Sequence, residues 1–164
     1  MFLRAQVSVE YLLVFGFALL LLVPSTYFLA TYSSESKDDI AVSRIYQIAY
    51  DIIGLADTIY TYGGTGWATL DIDLPTGVLQ AYTYRTQDIS ELIFNLSTSA
   101  GQTELVFFTE IPIQGSFSMA DKFGPDPGSN TDVFSLFDSS EEPAKGRYML
   151  RVSQQSDYIE VGEQ

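Results

Sequence analysis

The sequence lacks two residue types that carry much of protein chemistry, cysteine and histidine. The absence of cysteine excludes disulfide bonds, thiol catalysis and cysteine-ligated metals. The absence of histidine removes the commonest general base and the commonest metal ligand. The sequence also has no Gly-rich phosphate loop and no nucleophile elbow. We therefore expect a protein that is not an enzyme and that holds no cofactor or metal.

Basic residues are scarce. The 164 residues include 8 Lys and Arg against 21 Asp and Glu, which gives a net charge of −13. Because contacts to nucleic-acid phosphates need clustered lysine and arginine side chains, no nucleic-acid partner is expected. Only 18% of the residues are charged, whereas 11 Tyr and 11 Phe are present. That balance suits a surface used for packing or adhesion better than an acidic disordered tail.

What the sequence does have is a long apolar segment near its start. Residues 6–30 read QVSVEYLLVFGFALLLLVPSTYFLA, and residues 11–34 carry no charge. A helix over the uncharged stretch rises roughly 36 Å at about 1.5 Å per residue, enough to cross a hydrocarbon core of about 30 Å. The run is too long for the apolar region of an ordinary secretory signal, and no A-x-A cleavage site follows it. A cleaved signal is thus the weaker interpretation, beside a permanent membrane anchor and the assembly helix of a filament subunit.

A short motif at the start of this segment distinguishes these interpretations. Residues 4–12 read RAQVSVEYL, so that a basic and a small residue precede a lone glutamate in an apolar run. This resembles the prepilin-type, or class III, signal of archaeal type IV pilins, and its Q-x-S-x-E-Y-L form is similar to the adhesion group rather than the rotary archaellum. The resemblance implies a leader of residues 1–5 that a prepilin peptidase removes by cleavage between Ala5 and Gln6. It also implies an α+β fold, in which a long hydrophobic helix precedes a small antiparallel β-sheet or sandwich head in a lollipop arrangement.

The resemblance assigns assembly roles to Gln6, Glu10 and Pro24. Glu10 would be the fifth mature residue, where type IV pilins carry a glutamate that pairs with the free amine of a neighbouring subunit, here that of Gln6. The simpler alternative places Glu10 among lipid headgroups, since an ionised carboxylate in hydrocarbon costs on the order of 2.5–3.5 kcal/mol. Pro24 and Gly16 predict a kink or loosened turn, which serves either an ordinary membrane helix or repacking during assembly. Arg4 before the run and acidic residues after it place the N-terminus in the cytoplasm.

Helical periodicity continues beyond the apolar segment. Apolar residues recur at spacings of three and four residues and form a stripe made of Ile45, Ile48, Ile52, Leu55 and Ile59, widened by Ala41, Ala49 and Ala56. Gly63 and Gly64 end the pattern, as glycines do after a helix. The sequence thus predicts one helix over about residues 7–62. Residues 6–32 would serve as membrane segment or filament core, and residues 33–62 as an amphipathic part packed on the head.

After Gly66 the pattern changes to short alternating runs separated by turn residues, typical of an antiparallel sheet or small sandwich. The head is expected over residues 63–164, with strands at 67–74, 78–85, 90–97, 103–113, 116–119, 148–153 and 158–161. The run 103–113 is either one strand or two pieces divided at Pro112. Residues 120–146 are rich in Asp, Gly, Pro and Ser and are expected to form a long exposed loop, held down by a few apolar side chains.

Three features of the head are candidate sites. Asn95 begins the N-glycosylation sequon Asn95-Leu96-Ser97 on an expected strand end, although so short a motif also arises by chance. Asp71 and Asp73 would share one strand face, either as an acid/base pair or, the favoured interpretation, as a solvated surface. The acidic residues of 120–146 could bind Ca²⁺, but their spacing does not match an EF-hand loop, so charge that keeps a loop soluble is the default.

The favoured hypothesis is a structural subunit of an extracellular archaeal type IV pilus of the adhesion type, which polymerises through its N-terminal helix after cleavage. The resemblance implies four partners: further copies in a helical filament, the prepilin peptidase, the pilus assembly ATPase with its membrane platform, and the membrane itself. The chain would lie in the cell membrane before assembly and in the extracellular filament afterwards. The alternative is a membrane-anchored extracellular binding module.

Overall fold

The computed structural model describes residues 2–63, 66–85, 89–118, 132–137 and 146–164, with the backbone alone at 2–8, 118, 132 and 133. The chain divides into two compact units, Met1–Asp39 and Ile40–Gln164. Helix α1 (Phe2–Tyr62) runs through both units, and antiparallel-rich β-sheets follow it. The predicted α+β fold class is confirmed.

Helix α1 covers the whole predicted helical range. It begins at Phe2 rather than near residue 7, because nothing in the lead sequence FLRA disfavours a helix. It ends at Tyr62, where Gly63 takes a φ of 66° and its N–H donates to the Ile59 carbonyl at 3.2 Å. Pro24 lies inside the helix, and the helical backbone continues on both sides of it.

Nine strands follow α1 within the described residues and form two sheets. The strands are β1 Trp67–Leu74, β2 Val78–Arg85, β3 Ser90–Thr98, β4 Gly101–Thr109, β5 Ile113–Gly115, β6 Phe117–Ser118, β7 Asp132–Ser135, β8 Gly146–Gln154 and β9 Ile159–Glu163. Sheet A has the order β1-β8-β9-β5, and sheet B has the order β4-β3-β2-β7-β6. Neighbouring strands are antiparallel, as expected, except β5 and β9, which pair in parallel.

Sequence alternation located most of these strands. β1 and β2 have the predicted bounds, and β8 and β9 form the expected closing hairpin, in which the Gln155 N–H donates to the Tyr158 carbonyl at 2.8 Å. Of the two alternatives for residues 103–113, one strand or two pieces divided at Pro112, the structure has two strands. β4 ends before Pro112 and β5 begins after it, because proline has no N–H to donate to a ladder.

The loop expected over residues 120–146 is wrong for its described residues, which are 132–137 and Gly146, the first residue of β8. Asp132–Ser135 is strand β7, which pairs with β2 and β6. Leu136 and Phe137, which follow it, are buried, as expected of side chains that hold this segment down. Four residues are too few to show an alternating pattern in the sequence. This segment is a strand because it pairs with β2 and β6. The other residues of 120–146, with most of the acidic side chains considered for Ca²⁺, lie outside the described residues, as does Gly64.

One core joins α1 to both sheets within the unit Ile40–Gln164. The predicted stripe of the helix is buried at Ile45, Ile48, Ala49, Ile52 and Ala56, with Leu55 and Ile59 partly buried at its margin. The strands contribute a second group of buried side chains that includes Ile72, Leu74, Leu92, Phe94, Leu96, Phe107, Leu150, Val152 and Val161. The amphipathic part of α1 is thus a component of the head core.

The helix reaches one outer strand of each sheet. Arg44 donates to Asp73 of β1 at 3.1 Å. Tyr46 and Tyr50 pack edge-on against Phe107 of β4, with ring centroids 5.1 and 5.9 Å apart. Since β1 and β4 are the end strands of sheets A and B, α1 lies between the two ends.

The sheets meet again at β5. The Gly115 N–H donates to the Thr83 hydroxyl of β2 at 2.8 Å, and the Ser116 N–H donates to the Val161 carbonyl of β9 at 3.0 Å. A Cβ at Gly115 would collide with the Ser135 carbonyl, so this approach requires glycine. β5 therefore fixes sheet A to sheet B by hydrogen bonds, whereas α1 joins them by apolar burial.

Phe107→Ala should lower the free energy of unfolding of the full chain by about 3–5 kcal/mol, because it removes a buried ring and leaves a cavity. Phe107 is 6% exposed and packs on Tyr46, Tyr50 and Phe94. Denaturant unfolding followed by near-UV circular dichroism measures the loss. Phe108→Ala is the matched control, since this neighbouring ring is 68% exposed and should change stability by only about 0.5 kcal/mol. Equal losses for the two variants would contradict this placement of β4.

Candidate assembly segment

The unit Met1–Asp39 presents apolar side chains all round α1. Every large apolar side chain between residues 9 and 32 is exposed, from 44% at Leu19 to 75% at Tyr11. By length and composition, α1 is the one helix among the described residues that could cross a membrane. An apolar surface of this extent marks contact with lipid or with another protein.

The hydroxyl groups of this segment have partners inside the helix. The side chains of Ser25, Thr26 and Thr31 donate to backbone carbonyls three or four residues earlier, at 2.7, 2.8 and 3.1 Å. Ser34 does the same at 3.2 Å. Because these donors need no water, they add little cost when the segment lies in hydrocarbon or in a packed interior.

The residues predicted to act in cleavage and assembly lie on one continuous helix, α1. Ala5 and Gln6 belong to the first turns of α1, where only the backbone is described. Gln6 precedes Glu10 by four residues, so the two positions lie one above the other on the same helix face. Glu10 is exposed and makes no ion pair with another described side chain. Pro24 lies within the exposed apolar stretch.

The glycosylation candidate Asn95 lies inside β3 rather than at a strand end. It is half-buried and sits between Gln80 of β2 and Glu104 of β4. Strand alternation places these three residues on the face of sheet B that is turned away from the core.

The carboxylates of Asp71 and Asp73 are each bonded to an arginine. Arg147 donates through Nε to both oxygens of Asp71 at 2.8 Å, and Arg44 binds Asp73. The hydrogen bond from Arg147 holds the pKa of Asp71 below its ordinary value of 3.8. A general acid needs a raised pKa, so Asp71 is poorly suited to that role.

Beside these pairs lies an open groove of about 300 Å³ between α1 and β1, lined by Arg44, Gln47, Ile48, Asp51, Asp71, Ile72 and Asp73. Sequence reasoning missed this groove, because its lining comes from two segments that only the fold brings together.

Among the described residues, no three Asp, Glu, His or Cys side chains are grouped so as to hold a metal ion.

Comparisons of the chain with protein-family models, with curated proteins and with solved structures found no match. The structure itself therefore defines the fold class of the protein. It is an α+β protein whose long N-terminal helix has one half exposed and apolar and the other half built into a β-rich core.

Leu22→Arg should reduce the membrane-bound fraction of the full chain, because an arginine at the centre of a spanning helix costs about 2.5–3.5 kcal/mol. Alkaline extraction of a membrane preparation, followed by immunodetection, measures that fraction. Ser43→Arg is the control, since it adds the same charge on the exposed side of α1 outside the apolar stretch. A chain that stays fully in the membrane despite Leu22→Arg does not use this segment as its anchor.

Proposed function

We propose that this protein is the structural subunit of an extracellular filament of the archaeal type IV, adhesion-type pilus class. A prepilin-type peptidase removes residues 1–5, and the apolar half of α1 then leaves the membrane and enters the filament core. The pilus ATPase and its membrane platform drive that transfer. The folded β-rich unit stays outside and forms the filament surface.

The observation that carries this proposal is the contrast between the two halves of α1. Ile45, Ile52 and Ala56 are wholly buried in the head, whereas Leu12, Leu20 and Phe28 are each more than 65% exposed. Burying one Leu, Val or Phe side chain fully contributes about 1.5–3 kcal/mol. In a filament, helices from many copies can cover one another, so the exposed half supplies the driving force for polymerisation.

Glu10 supports the same proposal through its isolation. It is the sole charge between residues 5 and 34, and it lies exposed on a helix that is otherwise apolar there. A carboxylate that enters a helix-packed core needs a positive partner. Cleavage before Gln6 creates a free amine about one helical turn before Glu10. A neighbouring copy can present its own amine to Glu10.

A membrane-anchored binding module is the second candidate, and the groove beside β1 favours it. The groove offers Arg44 and the carboxylate of Asp51 around an apolar floor of Ile48 and Ile72. Such a module keeps its anchor uncut and stays a monomer. The N-terminus of the native protein therefore separates the two candidates.

Mass spectrometry of the native protein should find Gln6 as the first residue. The physical basis is that assembly needs the amine that cleavage before Gln6 creates, while the helix must stay on the mature chain. Ala5→Leu, which replaces the small residue before the cut, should leave the precursor intact. A native chain that begins at Met1, or that is cut after residue 30, is incompatible with the proposed pilin.

Glu10→Ala should lower the yield of filaments about tenfold or more, as expected when about 1.4 kcal/mol is lost per contact. Electron microscopy and quantitation of filaments sheared from cells measure the yield. Glu35→Ala removes the next acidic residue along the helix and should leave the yield unchanged. Normal filaments from Glu10→Ala would exclude an assembly role for this carboxylate, and cells that form no filament with the wild-type chain would exclude the proposed function.

A further inference from the structure

Strand β4 carries an exposed apolar and acidic surface, here called the Phe108 patch and made of Glu104, Val106 and Phe108. These residues alternate on the face turned away from the core, with Val106 39% and Phe108 68% exposed. The Tyr82 hydroxyl donates to Glu104 Oε1 at 2.6 Å, which fixes the position of that carboxylate. The outward positions of β2, β3 and β4 include no lysine or arginine. The Phe108 patch is therefore apolar with one sign of charge.

Sheet A carries a different surface, the Trp67 patch, made of Trp67, Met149 and Arg151. Trp67 is 61% and Met149 55% exposed, and Arg151 is exposed beside them on the outward face of β1 and β8. The Arg151 guanidinium lies 5.2 Å from the centroid of the Trp67 ring. Stacking on a ring holds the guanidinium plane and leaves its N–H edges available to an incoming carboxylate.

Charged neighbours on the outward face of sheet A are already bonded. Arg147 binds Asp71, and Glu160 accepts from the Gln155 amide at 2.6 Å. Arg151 makes no ion pair with a described residue. It is thus the arginine of this face whose charge has no carboxylate partner within the described part of the chain.

The composition of the chain decides what each patch can bind. With a net charge of −13, two heads that meet through like surfaces bring carboxylates together. Contact of the Phe108 patch with its own copy places Glu104 near a second Glu104, whereas contact with the Trp67 patch places it near Arg151. Exposed Trp, Phe, Met and Arg are the residues enriched at the centres of protein interfaces.

We propose that the Trp67 patch of one copy binds the Phe108 patch of the next copy, with Arg151 facing Glu104. The two patches are different surfaces of the head, so the contact is heterologous, and in the proposed open filament it repeats from copy to copy. The inference rests on the proposed polymer and names the head surfaces that it uses. Three residues on each side make a small contact, which adds to the burial along α1 and does not replace it.

The test reverses each charge in the full chain. Arg151→Glu and Glu104→Arg should each lower the yield of sheared filaments about tenfold, and the double variant R151E/E104R should restore it to within about twofold of wild type. Recovery in the double variant shows that the two positions interact. Because they lie on different sheets of one chain, that interaction requires contact between two copies. Asp57→Arg and Arg85→Glu are the matched controls, because they make the same charge changes at sites outside both patches and should leave the yield unchanged. Thermal unfolding of every variant checks that the head stays folded.

Wild-type yields from both single variants would overturn this contact while leaving the filament itself in place. A double variant as poor as the single variants would also overturn it.

If the wild-type chain forms no filaments, the proposed function fails, and a crosslinking experiment in the membrane then tests whether the two patches meet. The chain has no cysteine, so Gln102→Cys with Ser153→Cys places a single thiol beside each patch. A flexible bis-maleimide should give a ladder of oligomers with both thiols and not with either alone, and monomers throughout would refute the contact.

Discussion

The packing of one helical stripe, from Ile45 to Ala56, is the interaction on which the rest of the molecule depends. Both sheets lay apolar side chains against it, so neither sheet has a complete core without α1. The same helix carries the uncovered apolar surface toward its N-terminus. An exposed apolar surface of this extent marks contact with lipid or with another protein.

The two sheets are held together by different physical means at their two sides. At β1 and β4, the apolar side chains of the two sheets are buried against α1, and Phe107 packs on Tyr46 and Tyr50. At β5 the link is made by hydrogen bonds to Thr83 and by a glycine that admits a neighbouring carbonyl. Burial has no preferred direction, whereas hydrogen bonds set register. The β5 side therefore fixes how the sheets align, and the helix supplies much of the apolar contact.

Local patterns in the sequence were enough to predict α1, its buried stripe and most strands, because each depends on a period of 3.6 or 2 within a continuous stretch. They failed where partners far along the chain decide the structure. β7 has four residues and forms by pairing with β2 and β6, whereas the division between β4 and β5 is marked locally by Pro112. The same reason explains the candidate site. The motif around Glu10 is local and could be found in sequence, whereas Arg151 over Trp67 joins residues that only sheet pairing brings together.

In the proposed filament, net charge would limit how the heads can be arranged around a common core. Each head is acidic, so neighbouring copies repel unless their few basic side chains lie against carboxylates. Among the described residues of the head, Arg44 and Arg147 pair with Asp73 and Asp71, whereas the exposed Arg151 stacks on Trp67 and makes no ion pair. An apolar helix alone would favour any close packing of copies, including packings that bring acidic faces together. In the proposed contact, Arg151 stacked on Trp67 would therefore do more to select the orientation of the heads than to strengthen their contact, because its charge would penalise the alternatives.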